Sequence, residues 1–146
     1  MRVKDVMTKS PVCCGPAETL DRVAKMMLDH DCGVIPICTN GALSGVITDR
    51  DITCRAVAAG KRPIDVAVSD VMTKAVFTVQ EDDDVQMAID VMEAKQVRRL
   101  PVLDKNKKVV GIVAPSDLAP TFASMNVADF LLRVSYWTRR PTAAAV

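Results

Sequence analysis

Three groups of residues in this 146-residue chain have the types and spacing to do chemistry. The first is Thr48-Asp49-Arg50-Asp51, which ends an apolar run and opens a helical pattern. A hydroxyl beside the first free amides of a helix favours an anionic oxygen. A carboxylate one turn further on can accept hydrogen bonds from vicinal ribose hydroxyls. The same Thr-x-x-Asp spacing is also an approximate capping box that satisfies the helix's own amides, so the residues alone leave both readings open. The second group is Arg98-Arg99 followed later by Asp117; two adjacent arginines are also what a solvated or ion-paired surface presents. The third is Cys13-Cys14, two of five cysteines with Cys32, Cys38 and Cys54.

Other chemistry is poorly supplied. There is no Ser/His/Asp or Cys/His set, no phosphate loop and no metal-ligand spacing, and His30 is the sole histidine. No enzyme, metal site or required cofactor is expected. An odd number of cysteines without an apolar leader argues against a disulfide framework. Small buried thiols, kept reduced, are the simpler expectation. A formal net charge of +1 with 25% charged residues gives no electrostatic reason to expect nucleic acid or a membrane as partner. No stretch is long and apolar enough to span a bilayer, and a cytoplasmic address is expected.

The elements that must position these groups occur twice. Asp5-Val6-Met7-Thr8-Lys9 returns unchanged as Asp70-Val71-Met72-Thr73-Lys74. At the same offset Met27 meets Met92, and Pro36-Ile37 meets Pro101-Val102. One extra residue then enters, after which Gly45-Val46-Ile47 matches Gly111-Ile112-Val113 and Asp51 matches Asp117. Each copy predicts a short extended piece (Pro11 to Cys13; Val76 to Val79) and then an amphipathic helix. The apolar positions are Leu20, Val23, Ala24, Met27 and Leu28 in one copy, and Val85, Ala88, Ile89 and Met92 in the other. Two apolar runs follow, Val34 to Cys38 and Leu43 to Thr48, split by Asn40-Gly41, a strong hairpin signal. Their counterparts are Arg99 to Leu103 and Val109 to Val113. A second helix spans Asp51 to Ala59, with Gly60 as its C-terminal cap; Pro115 opens its counterpart, and Pro120 would break it. The expected fold class is α+β, β-α-β-β-α twice, the two copies packed about a pseudo-twofold axis. Residues 1–60 form the first copy, 61–69 a connector, 70–120 the second copy and 121–146 a C-terminal helix and tail. In that last stretch lie Phe122, Phe130, Tyr136 and Trp137. Val127, Phe130, Leu131 and Val134 would share one helical face, folded back on its own module or docking a partner.

The repeated D-V-M-T, the apolar-Pro-apolar strand and the G-h-h-T-x-x-D that closes the first copy resemble the CBS domain. Two together are similar to the CBS pair, or Bateman module, over residues 1 to 120. The resemblance implies a regulatory sensor that binds an adenosine-containing ligand (AMP, ADP, ATP or S-adenosylmethionine) in clefts between the repeats. It also implies a homodimer, with apolar residues such as Ile52, Ala56 and Val57 available for the interface, and an unknown protein target. By the family pattern Thr48 lies near phosphate or ribose and Asp51 on the ribose, while Arg98 and Arg99, just before a strand, reach phosphates. The same pattern brings Ser10, Pro11 and Val12 towards Arg99 and Asp117, and Ala75, Val76 and Phe77 towards Thr48 and Asp51. The chain departs from the pattern unevenly. Ala114 replaces the second threonine, with Ser116 nearby as a substitute, and Gly33-Val34 stand where the first copy would need basic residues. The alternative reading is a ligand-free dimeric scaffold that docks a partner through its C-terminal aromatic segment.

Overall fold

The computed structural model describes residues 1–119, 121 and 126–135. In chain order the elements are α1 (Val3–Val6), β1 (Thr8–Lys9), α2 (Leu20–Asp29), β2 (Val34–Thr39), β3 (Ala42–Thr48), α3 (Asp49–Asp51), β4 (Val79–Gln80), α4 (Val85–Lys95), β5 (Leu100–Leu103), β6 (Val109–Val113), α5 (Pro115–Leu118) and α6 (Val127–Ser135). A π-helical turn, Ile52–Val57, continues α3, and 3₁₀ turns cover Pro63–Asp65 and Val68–Asp70. Both copies therefore combine helices and strands in the expected order.

Local sequence accounts for several junctions. Asn40 (φ 53°) and Gly41 (φ 82°) both take left-handed backbone, which is what a two-residue I′ hairpin requires. They join Thr39 to its strand partner Ala42. Gly60 has φ 71°. The bonds Lys61 N to Ala56 O and Gly60 N to Val57 O, each 3.0 Å, complete a Schellman end to the Ile52–Val57 turn.

The chain forms two compact units, and these do not follow the repeat boundaries. One unit joins Met1–Ser10 to Phe77–Asn106 and the described residues from Val110 on; the other holds Pro11–Val76 with Lys107–Val109. We call them the second-copy and first-copy units. In the second-copy unit the sheet order is β1-β6-β5-β4, with β1 antiparallel to β6 and β4 parallel to β5. The first-copy unit repeats this layout in reduced form. Its β2–β3 hairpin carries an antiparallel bridge from Val46 to Thr73 on one side and a parallel bridge from Ile37 to Cys14 on the other. In each unit, then, one edge of the sheet is supplied by the D-V-M-T segment of the other copy.

Physical chemistry explains why Met1–Ser10 folds with the second copy. Val3 and Met7 bury in its core beside Ile89, Met92 and Leu100. Val3 N and Lys4 N donate to Asp83 O and Glu81 O, both at 2.9 Å. Around them Arg2 and Lys4 pair with Asp82 at 2.8 and 2.7 Å, and the N-terminal ammonium lies 3.6 Å from Asp84. These pairs hold the Asp82 and Asp84 carboxyls below the usual range, through hydrogen bonds from Lys4 and Arg2 for the former and from the Gln86 amide for the latter. They are exposed, so each adds little to stability.

The two long helices differ in burial. All four expected positions of α4 are buried, whereas α2 buries Leu20, Val23 and Met27 but leaves Ala24 exposed and Leu28 75% exposed. Helix α6 makes the difference, because Phe130 and Val134 enter the second-copy core while Gln96 Nε2 donates to Arg133 O at 2.8 Å. The C-terminal helix thus folds back on its own unit. Its expected apolar face is narrower than the spacing predicts: Val127 and Leu131 stay exposed. Phe130, only 1% exposed, is not free to dock a partner; Pro120, Phe122, Tyr136, Trp137 and the tail from Arg139 lie outside the described residues. In the first-copy unit the connector plays a comparable part. Val66 and Val68 are buried, and Leu20 N to Val66 O (3.1 Å) and Val68 N to Glu18 O (2.8 Å) tie it to the start of α2. Ile52 and Ala56 also differ from expectation. Both are consumed by the first-copy core, so only Val57, 56% exposed, remains apolar and accessible among the three.

Close approach at two glycines makes a direct test. A Cβ on Gly45 would sit 2.7 Å from Thr73 O and 2.9 Å from Met72 Sδ; one on Gly111 would meet Met7 Sδ and lie 3.1 Å from Thr8 O. Gly45→Ala and Gly111→Ala should each lose about 1–3 kcal/mol in urea unfolding, the usual cost of overpacking. Gly15→Ala, with nothing within 4 Å, serves as the neutral control. Equal stability of Gly45→Ala and Gly15→Ala would show that the approach is not a constraint.

Candidate functional site

Thr48 ends β3 in extended conformation (φ −115°, ψ 159°) and is the N-cap of α3. Its Oγ1 accepts from Asp51 N at 3.1 Å, and Asp51 Oδ2 accepts from Thr48 N at 3.0 Å. The capping box is therefore complete, and both groups are engaged with their own helix. Asp51 is 7% exposed, and its Oδ1 lies 3.6 Å from Arg55 Nε, while Arg55 also donates to Val71 O at 2.9 Å. What remains for a ligand is the Thr48 hydroxyl proton and the spare lone pairs of Asp51.

The second copy builds half of this device. Asp117 Oδ2 accepts from Ala114 N at 2.8 Å, but Ala114 has no side-chain oxygen to return the bond. Pro115 at the first helical position has no N–H and so needs no acceptor there. Ser116 is exposed and makes no side-chain hydrogen bond among the described residues. Asp117 is half-buried, and its Oδ1 is likewise unbonded among the described residues.

Arg98 and Arg99 precede β5 and are exposed. Arg99 Nη1 folds back onto Arg98 O at 2.9 Å, and neither guanidinium pairs with a carboxylate among the described residues. Because β5 and β6 are neighbours joined by a short loop, Arg99 and the Ala114–Asp117 turn lie at one end of the same sheet. Ser10 is elsewhere along it: its N–H donates to Val110 O at 3.1 Å, at the opposite end of β6 from that turn. Pro11 and Val12 belong to the other unit, where Val12 packs on the core. Val76 shares the unit of Thr48 and Asp51, but its segment leaves the Val46–Thr73 bridge away from Thr48. Phe77 belongs to the second-copy unit, where Lys95 Nζ stands 5.1 Å from its ring centroid.

Asp49 is a residue that the sequence reading passed over. Its carboxylate stands against Gly33, where an added Cβ would lie 3.1 Å from Oδ2, and its amide donates to Gly33 O at 3.1 Å. Gly33 matches Arg98 in the repeat, and Asp49 matches Pro115. Where the second copy has Arg98, the first therefore has Gly33 with the Asp49 carboxylate against it, and the second has Pro115 in place of that acid. The signal lies in Thr48-Asp49-Arg50-Asp51, where the capping spacing singles out only the first and last residues. A cleft of about 210 Å³ between α4 and α6, lined by Gln86, Ile89, Glu93, Asp129, Phe130 and Arg133, contains none of the candidate residues.

Removing the Thr48 hydroxyl should cost about 1 kcal/mol through the lost cap. Thr48→Ala, followed by urea unfolding with the slope unchanged, measures it. A loss below about 0.3 kcal/mol would mean that the box contributes nothing.

Known proteins share this arrangement. The family model described as "CBS domain" matches residues 3–56 and 68–123. Hypoxic response protein 1 of Mycobacterium tuberculosis is 34% identical over 129 residues, 88% of this chain and 90% of that protein. The CBS domain-containing protein YhcV of Bacillus subtilis is 39% identical over 117 residues, 80% and 82% of the two chains. The crystal structure of hypoxic response protein I, with two coordinated zinc ions, has a TM-score of 0.75 at 36% identity and covers 82% of this chain and 98% of that one. Among the described residues here, no group of three or more His, Cys, Asp or Glu is placed to hold a metal ion. The CBS domain pair of MJ0100, in complex with 5′-methylthioadenosine and S-adenosyl-L-methionine, has a TM-score of 0.75 at 30% identity, covering 86% and 98%. With both repeats matched and their strands and helices in place, this chain belongs to the CBS domain family as a tandem pair.

Proposed function

We propose that the chain is a regulatory module for an adenosine-containing ligand, with Asp117 on the ribose hydroxyls and Arg98 and Arg99 on the ligand's anionic end. The observation that carries this reading is the state of those three side chains. Two exposed guanidiniums without a carboxylate partner, and a carboxylate oxygen without a hydrogen bond, stand at one end of one sheet among the described residues. Guanidinium forks suit phosphate or carboxylate oxygens. The adenosyl part of the proposal is supported by the two ligands of the MJ0100 pair. Thr48 and Asp51 are proposed as the weaker site. Thr48 Oγ1 and Asp51 Oδ2 already accept within the cap, Arg55 stands 3.6 Å from Asp51 Oδ1, and Asp49 opposes an anion at the place where the second copy has Arg98.

The reading extends to a homodimer, for which Val57 is the apolar residue left accessible on its helix. Light scattering at micromolar concentration should report twice the chain mass, and a monomer removes this part. Among the described residues no helix is long and apolar enough to cross a membrane.

A ligand that binds only the folded state raises its melting temperature. AMP, ATP, 5′-methylthioadenosine and S-adenosylmethionine, each at millimolar concentration, should include at least one that does so. Arg98→Ala/Arg99→Ala should lose any shift from AMP or ATP yet keep one from 5′-methylthioadenosine, which carries no anionic group. No shift with any of the four would overturn the proposal.

A further inference from the structure

The cysteines carry chemistry that the ligand reading does not use. Cys14 N donates to Pro36 O at 3.2 Å, and Cys38 N donates to Cys14 O at 2.9 Å. These two bonds make one parallel bridge in which Cys14 faces Ile37. Side chains alternate along extended chains, so Cys14 shares the face of Ile37 and packs with it on the first-copy core. Cys13 and Cys38 consequently share the other face. The vicinal pair Cys13-Cys14 diverges; the Cys13 thiol donates to Pro11 O at 3.5 Å, and the Cys38 thiol is its near neighbour on that face. Cys13 is exposed and Cys38 half-buried. The expectation of buried thiols is not met: Cys13 and Cys54 are exposed, and Cys14, Cys32 and Cys38 are half-buried.

We propose that Cys13 and Cys38 form a reversible dithiol–disulfide couple, closed by exchange with a small-molecule disulfide. The Cys13 thiol gives its proton to solvent, and its sulfur attacks one sulfur of the reagent RSSR. The reagent's S–S bond breaks, RS⁻ leaves and a Cys13–S–S–R adduct remains. Cys38 then loses its proton, attacks Cys13 Sγ and expels the second RS⁻. Two electrons pass from the two cysteine sulfurs to RSSR, which leaves as 2 RSH once the thiolates are protonated. The closed bond would fasten Pro11–Cys14 to β2 beyond the single backbone bridge. Burial pushes both thiols up, Cys38 to about 12 with the neighbouring Cys13 adding to the rise, so both are protonated near neutral pH and exchange is slow. The proposal does not depend on the adenosyl reading.

The probe is oxidised glutathione, applied to the full chain and followed by acid quench, alkylation and peptide mapping. Wild type should lose two thiols and yield an intramolecular Cys13–Cys38 cross-link that dithiothreitol reverses, with Cys14 recovered alkylated. Cys38→Ser should stall as a glutathione adduct on Cys13. The wild-type map stands by itself if that variant does not fold. A persistent Cys13 adduct in wild type, a Cys13–Cys14 or intermolecular bond as the main product, or an unmodified Cys13 would each overturn the proposal.

Discussion

Everything in this chain rests on the close approach of each D-V-M-T segment to the strand that carries the glycine of the other copy. Thr73 exchanges both backbone hydrogen bonds with Val46, at 2.8 and 2.9 Å, and Thr8 faces Ile112. Neither pairing leaves room for a side chain at the glycine beneath it. The methionine before each threonine then lies over that glycine, and Met7 in particular enters the core. The sheet edges, the burial of Val3 and the path of the chain all follow from these two contacts. They also cover strand edges that would otherwise be open to pairing with other chains.

Across this shared frame the two copies have diverged in charge. Asp51 and Asp117 do the same structural work, each accepting the amide of the residue that caps its own helix. The first copy completes the cap with Thr48 and sets Asp49 over Gly33; the second has Ala114 in place of the threonine and carries Arg98 and Arg99. A carboxylate that caps with one oxygen keeps the other for a second task. Whether that second task is open depends on what stands nearby, and Arg55 stands near Asp51 only.

The local grammar of the sequence was readable because its causes are local. Asn40-Gly41 needs left-handed backbone wherever it occurs, Gly60 ends a helix by the same property, and the apolar period of α4 is complete within the helix. The exchange of the initial segments was not readable as a fold unit, because Asp5 to Lys9 and Asp70 to Lys74 are identical and nothing within either says which strand it joins. Burial on α2 and α6 was misjudged for a related reason. Ala24 and Leu28 have helical spacing, but burial also requires a partner, and α6 covers α4 alone. At the candidate site, the reciprocal cap was anticipated as one of two readings. The opposition of Asp49 to Gly33 and the pairing of Cys13 with Cys38 depend on which strands meet, which spacing does not encode.

The edge bridge between Val46 and Thr73 carries a consequence for how such a chain could have arisen. Cut out by itself, the first copy would lack the strand edge that Thr73 supplies and would carry an initial segment with no core in which to bury Val3 and Met7. The stretch that was duplicated is therefore smaller in content than the body that folds. A single copy could satisfy both needs only by trading those segments with a second copy, and this chain holds both partners of the trade. The sequence is organised by repeats, whereas the packing is organised by bodies that each borrow from the neighbouring repeat.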